Sequence, residues 1–207
     1  MEIRLPVMES FHSLQGEGAH TGRSAYFIRL ASCKVGCPWC DTKMSWSEKK
    51  YPKKSIVTLS ENTSKAKSKG AAFVVITGGE PLHHNLDPLC SEIRAQQSIP
   101  IHLETSGVDQ LSGNPDWITL SPKKHAPPKS EILKACQELK VVIHEKDDLV
   151  FAEEMVSQIK SSNRQLPILF LQAGWDNPYS QNLTFEYIKY NSQWRLSMQT
   201  HKWLQIR

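Results

Sequence analysis

Three cysteines lie close together in the first quarter of the chain, as Cys33, Cys37 and Cys40. They follow an apolar run, so we expect them in a loop where their thiolates can surround one inorganic centre. A closed structural zinc site takes four protein ligands, so three thiolates do not complete one. Three thiolates suit a four-iron cluster in which one iron stays free to bind another molecule. The spacing therefore predicts a metal centre with one open coordination position.

The elements that must position this loop are predicted from the apolar pattern of the chain. Six short apolar runs predict strands, at residues 24–31, 71–77, 100–104, 117–120, 139–143 and 167–171. Apolar residues at helical spacing predict helices at residues 58–69, 85–97, 131–137, 149–159 and 184–194. An alternation of strands and helices indicates an α/β fold with a parallel sheet.

Polar residues or glycines follow several of the predicted strands. These stretches are the cysteine loop, Thr77-Gly78-Gly79-Glu80, Glu104-Thr105, Ser121-Pro122-Lys123 and Gln172. The carboxyl ends of parallel strands meet on one face of a barrel or partial barrel, so we expect these stretches to share a site. We expect the two glycines to let the strand end expose its backbone groups, and Glu80 to hold an ammonium group.

Two features before the cysteines also have the character of a ligand site. Gly16 and Gly18 flank Glu17 in a turn, and glycines allow a backbone to approach a ligand closely. Arg29 interrupts the apolar run at 24–31, and a buried charge must be paired or face a polar site. Both features have plainer interpretations, a simple turn and an arginine at a strand end that faces solvent.

The composition bounds the class of protein. The chain has 207 residues, of which 39% are hydrophobic and 22% charged, and we expect one domain over residues 1–207. No apolar run approaches the ~18 residues of a membrane span, and the N-terminus has no signal-peptide pattern. Five cysteines, three of them clustered, do not suggest a disulfide framework. We expect a cytoplasmic protein whose lysine-rich segment, residues 43–70, is a solvated loop followed by a helix, and not a nucleic-acid patch.

The cysteine spacing, Cys33-x3-Cys37-x2-Cys40, matches the cluster signature of the radical S-adenosylmethionine (radical SAM) superfamily, and Gly78-Gly79-Glu80-Pro81 resembles its glycine-rich motif. Further segments resemble one family within it, the 7-carboxy-7-deazaguanine synthases. These segments are Phe11-His12-Ser13-Leu14-Gln15-Gly16-Glu17-Gly18, Cys40-Asp41-Thr42, Leu103-Glu104-Thr105-Ser106-Gly107, Ser121-Pro122-Lys123 and Ser197-Met198-Gln199-Thr200-His201-Lys202-Trp203-Leu204.

The resemblance implies a fold and a reaction. The fold would be a modified and shortened partial (β/α) barrel of the radical SAM type. The reaction would convert 6-carboxy-5,6,7,8-tetrahydropterin into 7-carboxy-7-deazaguanine with loss of ammonia, a carbon–nitrogen lyase step of queuosine and 7-deazapurine biosynthesis. A radical derived from the cofactor would take a hydrogen from the pterin ring, so no protein side chain need act as acid, base or nucleophile.

The resemblance also implies roles for individual residues. A [4Fe–4S] cluster would be held by Cys33, Cys37 and Cys40. S-adenosylmethionine would contact Trp39, Cys40, Asp41, Gly79, Ser121, Pro122, Lys123 and Gln172. The pterin would contact Leu14, Gln15, Gly16, Arg29, Thr77 and Arg207, with the Arg29 guanidinium on its carboxylate. Glu17 and Glu104 are further candidates near the pterin, and His201 would pack beneath the site.

Thr42 would ligate a Mg²⁺ ion that also binds the substrate, and it makes sense as a ligand only if substrate oxygens and waters complete the octahedron. Its alternative is a hydroxyl that caps the cysteine loop. The implied partners are the pterin, a second copy of the chain in a homodimer, and an electron donor such as a flavodoxin. Neither nucleic acid nor a membrane is expected.

Two departures from the family pattern stand out. The segment after Gln172 is Ala173-Gly174-Trp175, where relatives tend to carry proline, so cofactor contacts are expected at Gln172 only. The last residue is Arg207, where relatives tend to end in a proline whose carboxylate reaches the substrate.

The residues by themselves are also compatible with two alternative functions. One is a radical SAM activase that generates a glycyl radical in a partner protein. The other is a non-catalytic zinc- or cluster-binding module that uses a histidine as fourth ligand. The histidines are scattered without ligand spacing, and we expect most of them to be surface or core partners.

Overall fold

The computed structural model describes residues 2–162 and 164–207, and within them nine strands form one sheet. In chain order the strands are β1 (Arg4–Leu14), β2 (Ser24–Leu30), β3 (Lys53–Ser55), β4 (Phe73–Gly78), β5 (Ile101–Thr105), β6 (Trp117–Leu120), β7 (Glu138–Ile143), β8 (Ile168–Ala173) and β9 (Trp194–Ser197). Their order in the sheet is β3-β1-β2-β4-β5-β6-β7-β8-β9. From β2 to β9 every pair is parallel, and β1 pairs antiparallel with β2 and β3. The predicted fold is confirmed as mostly parallel and open.

Helices cover one face of this sheet. They are α1 (Ile56–Ser68), α2 (Asp87–Gln96), α3 (Ser130–Ala135), α4 (Lys146–Lys160) and α5 (Pro178–Tyr190). The short helix α6 (Thr200–Leu204) has no buried residue and is not part of this layer. Helix α1 begins where the Ser55 hydroxyl accepts a hydrogen bond from the Thr58 backbone N–H at 3.1 Å. The main core lies between helices and sheet, where Ile28 and Ile76 pack with Leu89 of α2. Across the described ranges, no helix is both long and apolar enough to cross a membrane.

The opposite face of the sheet is the concave interior of the partial barrel. Successive side chains of a strand point to opposite faces of the sheet. Residues next to those of the main core, such as Phe27, Val75 and Thr77, therefore face this interior. At the amino ends of the parallel strands an aromatic plug fills this interior. The plug consists of His20, Phe73, His102 and Trp117, with His102 stacked on Phe73 at 4.1 Å between centroids. Burial lowers the pKa of His102 to about 3, and His20 and Arg23 act in the same direction.

The six predicted strands and five predicted helices all exist. The errors are three missed strands and one helix with wrong bounds. The predictions missed β1, β3 and β9. In β1 a register shift between Val7 and Glu9 interrupts the alternation of buried and exposed residues that signals a strand. The helix predicted at 184–194 is wrong in its bounds, because α5 runs from Pro178 to Tyr190 and Trp194 begins β9.

Candidate active site

A cavity of about 500 Å³ opens at the carboxyl ends of the parallel strands. It brings together nearly all of the residues that the sequence assigned to a site. Those that line it are Leu14, Gln15, Gly16, Arg29, Cys33, Cys37, Trp39, Cys40, Asp41, Thr42, Thr77, Gly79, Ser121, Lys123, Gln172 and Arg207. Glu17, Glu104 and His201 line it as well, whereas Pro122 is buried and does not.

The cysteine loop is attached to the lysine-rich segment through its backbone. The N–H of Ser32 donates to the Ser45 carbonyl at 2.7 Å, and that of Cys33 to the Trp46 carbonyl at 3.3 Å. Ser32 has a φ of +88°, a conformation that L-residues rarely adopt. Residues 43–50 are therefore not only a solvated loop. They form two 3₁₀ turns, Lys43–Trp46 and Glu48–Lys50, and the first of these binds the backbone of the cysteine loop.

Gly78 and Gly79 let β4 approach the start of the cysteine loop. A Cβ atom on Gly78 would lie 2.1 Å from the Leu30 carbonyl oxygen, and one on Gly79 would lie 2.4 Å from that of Ser32. The backbone N–H groups of Gly79 and Glu80 donate to these same two oxygens, both at 2.9 Å. The prediction that this strand end exposes its backbone is wrong for these two N–H groups, which bind the loop.

Glu80 joins the glycine-rich turn to the end of β5. Its carboxylate is buried and accepts hydrogen bonds from the Thr105 and Ser106 hydroxyls, and from the N–H groups of Ser106 at 2.8 Å and Leu82 at 3.1 Å. A carboxylate accepts about four hydrogen bonds. The prediction that Glu80 holds an ammonium group is therefore wrong, since its acceptor capacity is used within the protein.

Four histidines support the cysteine loop, a role that their scattered positions in the sequence did not suggest. Three of them bond the backbone of residues 31–35. The contacts join His83 Nε2 to the Lys34 N–H (2.9 Å), His84 Nε2 to the Ala31 carbonyl (2.8 Å) and His125 Nε2 to the Val35 carbonyl (3.1 Å). The fourth, His144, packs against Trp39 with 4.8 Å between ring centroids.

On the sheet side of the cavity, polar side chains are connected to one another. Gln15 Nε2 donates to Glu104 Oε1 at 2.8 Å, and the Thr77 hydroxyl donates to Glu104 Oε2 at 3.1 Å. Arg29 Nε donates to the Glu9 carboxylate at 2.9 Å. This pairing resolves the question of how the sheet tolerates Arg29: the charge is paired, and the residue also lines the cavity.

Deeper in the barrel, Glu17 forms an ion pair with Lys140 of β7. Burial alone would raise the pKa of Glu17, but the Lys140 ammonium outweighs it and the pKa is lowered. Burial would likewise lower the pKa of Lys140, but Glu17, Glu104 and Glu138 together raise it. The sequence signal for Lys140 is a lysine inside an apolar strand, and Lys140 is not among the predicted site residues.

The C-terminal segment closes one side of the cavity. The N–H and the hydroxyl of Thr200 both donate to the Gly16 carbonyl at 2.9 Å. A Cβ on Gly16 would lie 2.3 Å from His201 Nδ1, so a glycine is required for this packing. His201 thus lies against the turn, as expected. At the chain end, the Ser13 hydroxyl donates to the Arg207 carbonyl.

The donor set of the cysteine loop fits an iron–sulfur cluster. All three thiols are free, and each borders the cavity. Burial raises the pKa of Cys33 and Cys37, while the positive charge of half-buried Lys123 favours the Cys37 thiolate. In the parts of the chain that the structure covers, no three His, Cys, Asp or Glu side chains converge on a point that would hold a single metal ion. A four-iron cluster has a different requirement, because each thiolate binds a separate iron. Thiolates are the protein ligands that iron–sulfur clusters require.

The Thr42 hydroxyl does not cap the turn that follows it. It donates instead to Asp41 Oδ1 at 3.0 Å, while the Thr42 carbonyl accepts from the N–H and the hydroxyl of Ser45. The alternative interpretation of Thr42 as a capping hydroxyl is therefore wrong. A hydroxyl and a carboxylate stand side by side at the edge of the cavity.

Comparison with known proteins identifies the family of the chain. Residues 28–136 match the model of the Radical SAM superfamily. The chain is 54% identical to a 7-carboxy-7-deazaguanine synthase from Prochlorococcus marinus, with all of both chains covered. It is 45% identical to one from Synechocystis, with 100% of this chain and 96% of the relative covered.

A solved structure is similar over nearly the same length. The crystal structure of QueE from Escherichia coli matches with a TM-score of 0.80 and 30% identity, covering 95% of this chain and 94% of that one. The Radical SAM superfamily match implies a [4Fe–4S] cluster and S-adenosylmethionine as cofactors. Sequence and fold agree, and the chain belongs to the 7-carboxy-7-deazaguanine synthase family of radical SAM enzymes.

Proposed function

We propose that this chain converts 6-carboxy-5,6,7,8-tetrahydropterin into 7-carboxy-7-deazaguanine and ammonia, as a single radical SAM domain in the cytoplasm. The observation that carries the proposal is that one cavity contains both the three thiols and a connected polar surface of Gln15, Thr77 and Glu104. A volume of about 500 Å³ lies within the range of small-molecule sites.

The polar surface suits a pterin. Such a ring presents N–H donors along one edge, and Glu104 and Gln15 offer acceptors there. Arg29 keeps its two terminal nitrogens for a carboxylate, because only Nε is used on Glu9. Leu14, Gly16 and Arg207 would border the ring, and Thr77 would hold Glu104 in place through its hydroxyl.

The cofactors would lie on the loop side of the cavity. Cys33, Cys37 and Cys40 would hold the cluster, and the remaining contacts to S-adenosylmethionine would come from Trp39, Asp41, Gly79, Ser121, Lys123 and Gln172. When bound, the two cofactors together supply the radical that removes a hydrogen atom from the pterin. The protein orients the ring towards that radical and excludes water. Pro122 would act indirectly, by fixing the backbone between Ser121 and Lys123.

We propose a Mg²⁺ site at Thr42, completed by substrate oxygens and water, with Asp41 beside it. The support is the pair of oxygen donors at the cavity edge, since Mg²⁺ favours oxygen ligands and keeps several waters. A Thr42→Ala variant should lose most of the stimulation of turnover by Mg²⁺. If added Mg²⁺ stimulates that variant as strongly as the parent, Thr42 is not a ligand.

We further propose that the chain is a homodimer and receives its electron from an acidic carrier such as a flavodoxin. Exposed Leu196 and Met198 lie at the β9 edge and could be covered by a second copy. Exposed Lys43, Lys49 and Lys50 lie on the segment that contacts the cysteine loop, where an acidic carrier would approach the cluster. Sedimentation tests the first proposal. Reversal of the three lysine charges without any change in cluster reduction rate would refute the second.

The reaction is tested by an anaerobic assay. Reconstituted protein, 6-carboxytetrahydropterin, S-adenosylmethionine and a reductant should give the ultraviolet spectrum of the deazapurine and one ammonia per product. In Arg29→Ala we expect weaker pterin binding with cofactor binding intact. Cofactor cleavage without deazapurine formation, or a single colourless zinc ion per chain, would reject the proposal in favour of an activase or a zinc module.

A further inference from the structure

Lys140 is a buried cation to which the radical reaction described above assigns no role. It lies in the middle of β7, its side chain is only 7% exposed, and it borders the cavity. Its ammonium binds the Glu17 carboxylate, and Glu104 and Glu138 also attract it. A buried lysine without such partners would lose its charge. Here its pKa is raised, so Lys140 carries a positive charge at neutral pH.

Its partner Glu17 comes from the turn between β1 and β2 and reaches the same cavity. One carboxylate oxygen meets Lys140, and the other accepts a hydrogen bond from Gln199 Nε2 at 2.9 Å. Each carboxylate oxygen can accept two hydrogen bonds. Glu17 therefore keeps acceptor capacity for a ligand while two side chains fix its position.

We propose that Lys140 is a positioning residue for the pterin that acts through Glu17. It holds the carboxylate in one place, so that Glu17 accepts hydrogen bonds from N–H groups of the ring. This inference rests on the proposed function, since it needs a pterin in the cavity.

The carboxylates around Glu17 explain why Glu17 needs Lys140 to stay ionised. Glu138 accepts a hydrogen bond from the Ala19 N–H at 3.0 Å, at the far end of the same turn. Burial raises the pKa of Glu138, with Glu104 and Glu17 adding to that effect. Without Lys140, three carboxylates would remain close together in a buried site. Like charges there favour protonation, and a protonated Glu17 loses part of its acceptor capacity.

The experiment measures equilibrium binding of 6-carboxytetrahydropterin and of S-adenosylmethionine, separately, to anaerobically reconstituted protein. In Lys140→Met we expect pterin affinity to fall by about tenfold or more, the scale for a lost charged hydrogen-bond partner, while cofactor affinity stays within about twofold. Lys140→Arg should recover most of the pterin affinity because it restores the charge. In turnover, kcat/KM should fall more than kcat. Lys189→Met, which removes an exposed lysine on α5 paired with Glu186, is the matched control.

Glu17→Gln, alone and combined with Lys140→Met, tests whether Lys140 acts through Glu17. If it does, the double variant loses no more pterin affinity than the weaker-binding single variant. Losses that multiply would overturn the proposal, as would parent-like pterin affinity in Lys140→Met or equal losses of pterin and cofactor. Should Lys140→Met not fold, parent-like pterin affinity in Glu17→Gln overturns it instead. A parent protein that binds no pterin refutes the proposed function and this inference together.

Discussion

Lys202 of the C-terminal helix donates a hydrogen bond to Asp41 of the cysteine loop, with 2.7 Å between Nζ and Oδ2. The two residues are 161 positions apart in the chain. Partial desolvation would raise the pKa of Asp41, but Lys202, together with the Thr42 hydroxyl and Arg29, lowers it. The same ammonium lies 5.1 Å from the centre of the Trp175 ring. One side chain thus connects three segments around the mouth of the cavity.

We expect Lys202→Met to loosen the C-terminal helix without unfolding the protein. The Lys202 side chain is 20% exposed and that of Asp41 58%, so the pair contributes about 1 kcal/mol or less. Helix α6 has no buried residue, and its other attachments are the hydrogen bonds from Thr200 to Gly16 and from Ser13 to Arg207. Hydrogen exchange of residues 200–207 should become faster, while the urea midpoint stays unchanged. Exchange as slow as in the parent would show that other contacts hold the helix.

Cys37→Ala should lose the cluster and with it all cleavage of S-adenosylmethionine. Two thiolates cannot replace three, because one more iron is left without a protein ligand and alanine supplies no donor atom. Cys136→Ala is the matched control, because Cys136 is a buried free thiol in the core, away from the loop. Iron and sulfide content after reconstitution, with the visible spectrum, measure the outcome. Four irons per chain in Cys37→Ala would contradict the assignment of this ligand.

Gly79→Ala should impair cluster assembly more than it impairs folding. The new Cβ would meet the Ser32 carbonyl at 2.4 Å and the Cys33 Cβ at 2.8 Å, so the cysteine loop must move. The control is Gly70→Ala, where φ is +100° and no atom lies within 4 Å of the new Cβ. That variant should lose about 1 kcal/mol of stability through backbone strain but keep its iron. Equal iron contents in the two variants would refute the steric argument.

The stability of the apoprotein should fall as the pH falls below about 6.5, the ordinary pKa of histidine. Native His102 stays neutral because burial lowers its pKa to about 3. In the unfolded chain His102 binds a proton near its ordinary pKa of about 6.5. Between about pH 6.5 and pH 3 the unfolded state therefore holds more protons than the native state, and native stability falls as the pH falls. At pH 5 the loss from this group is about 2 kcal/mol relative to pH 7.

His102→Phe should reduce that difference, because phenylalanine retains stacking on Phe73 and cannot be protonated. Urea unfolding of parent and variant at both pH values gives the comparison. His20 also has a lowered pKa, from burial and from Arg23, and contributes to what remains. A pH dependence in His102→Phe equal to that of the parent would show that His102 is not the titrating group.

Local patterns determined the central part of the molecule. The parallel strands between β2 and β8 have continuous apolar runs, because both of their faces are covered, and such runs are visible in the sequence. The ends of those strands had to meet at one face, which is why Cys33, Thr77, Lys123 and Gln172 could be assigned to one cavity from their positions alone. The cysteine spacing and the glycine-rich turn indicated the radical SAM superfamily, and further segments such as residues 103–107 and 197–204 indicated the family.

The tertiary structure decided which contacts between distant segments fix the residues of that site in place. His83, His84 and His125 bond the cysteine loop from distant segments, and Glu80 proved to be a buried connector instead of a ligand. The Glu17–Lys140 pair, 123 positions apart, also depends on the fold. Side-chain hydrogen bonds of this kind have no period along the chain. Spacing in the sequence reports which residues share a strand or a loop, whereas only the folded sheet reports which loops face each other.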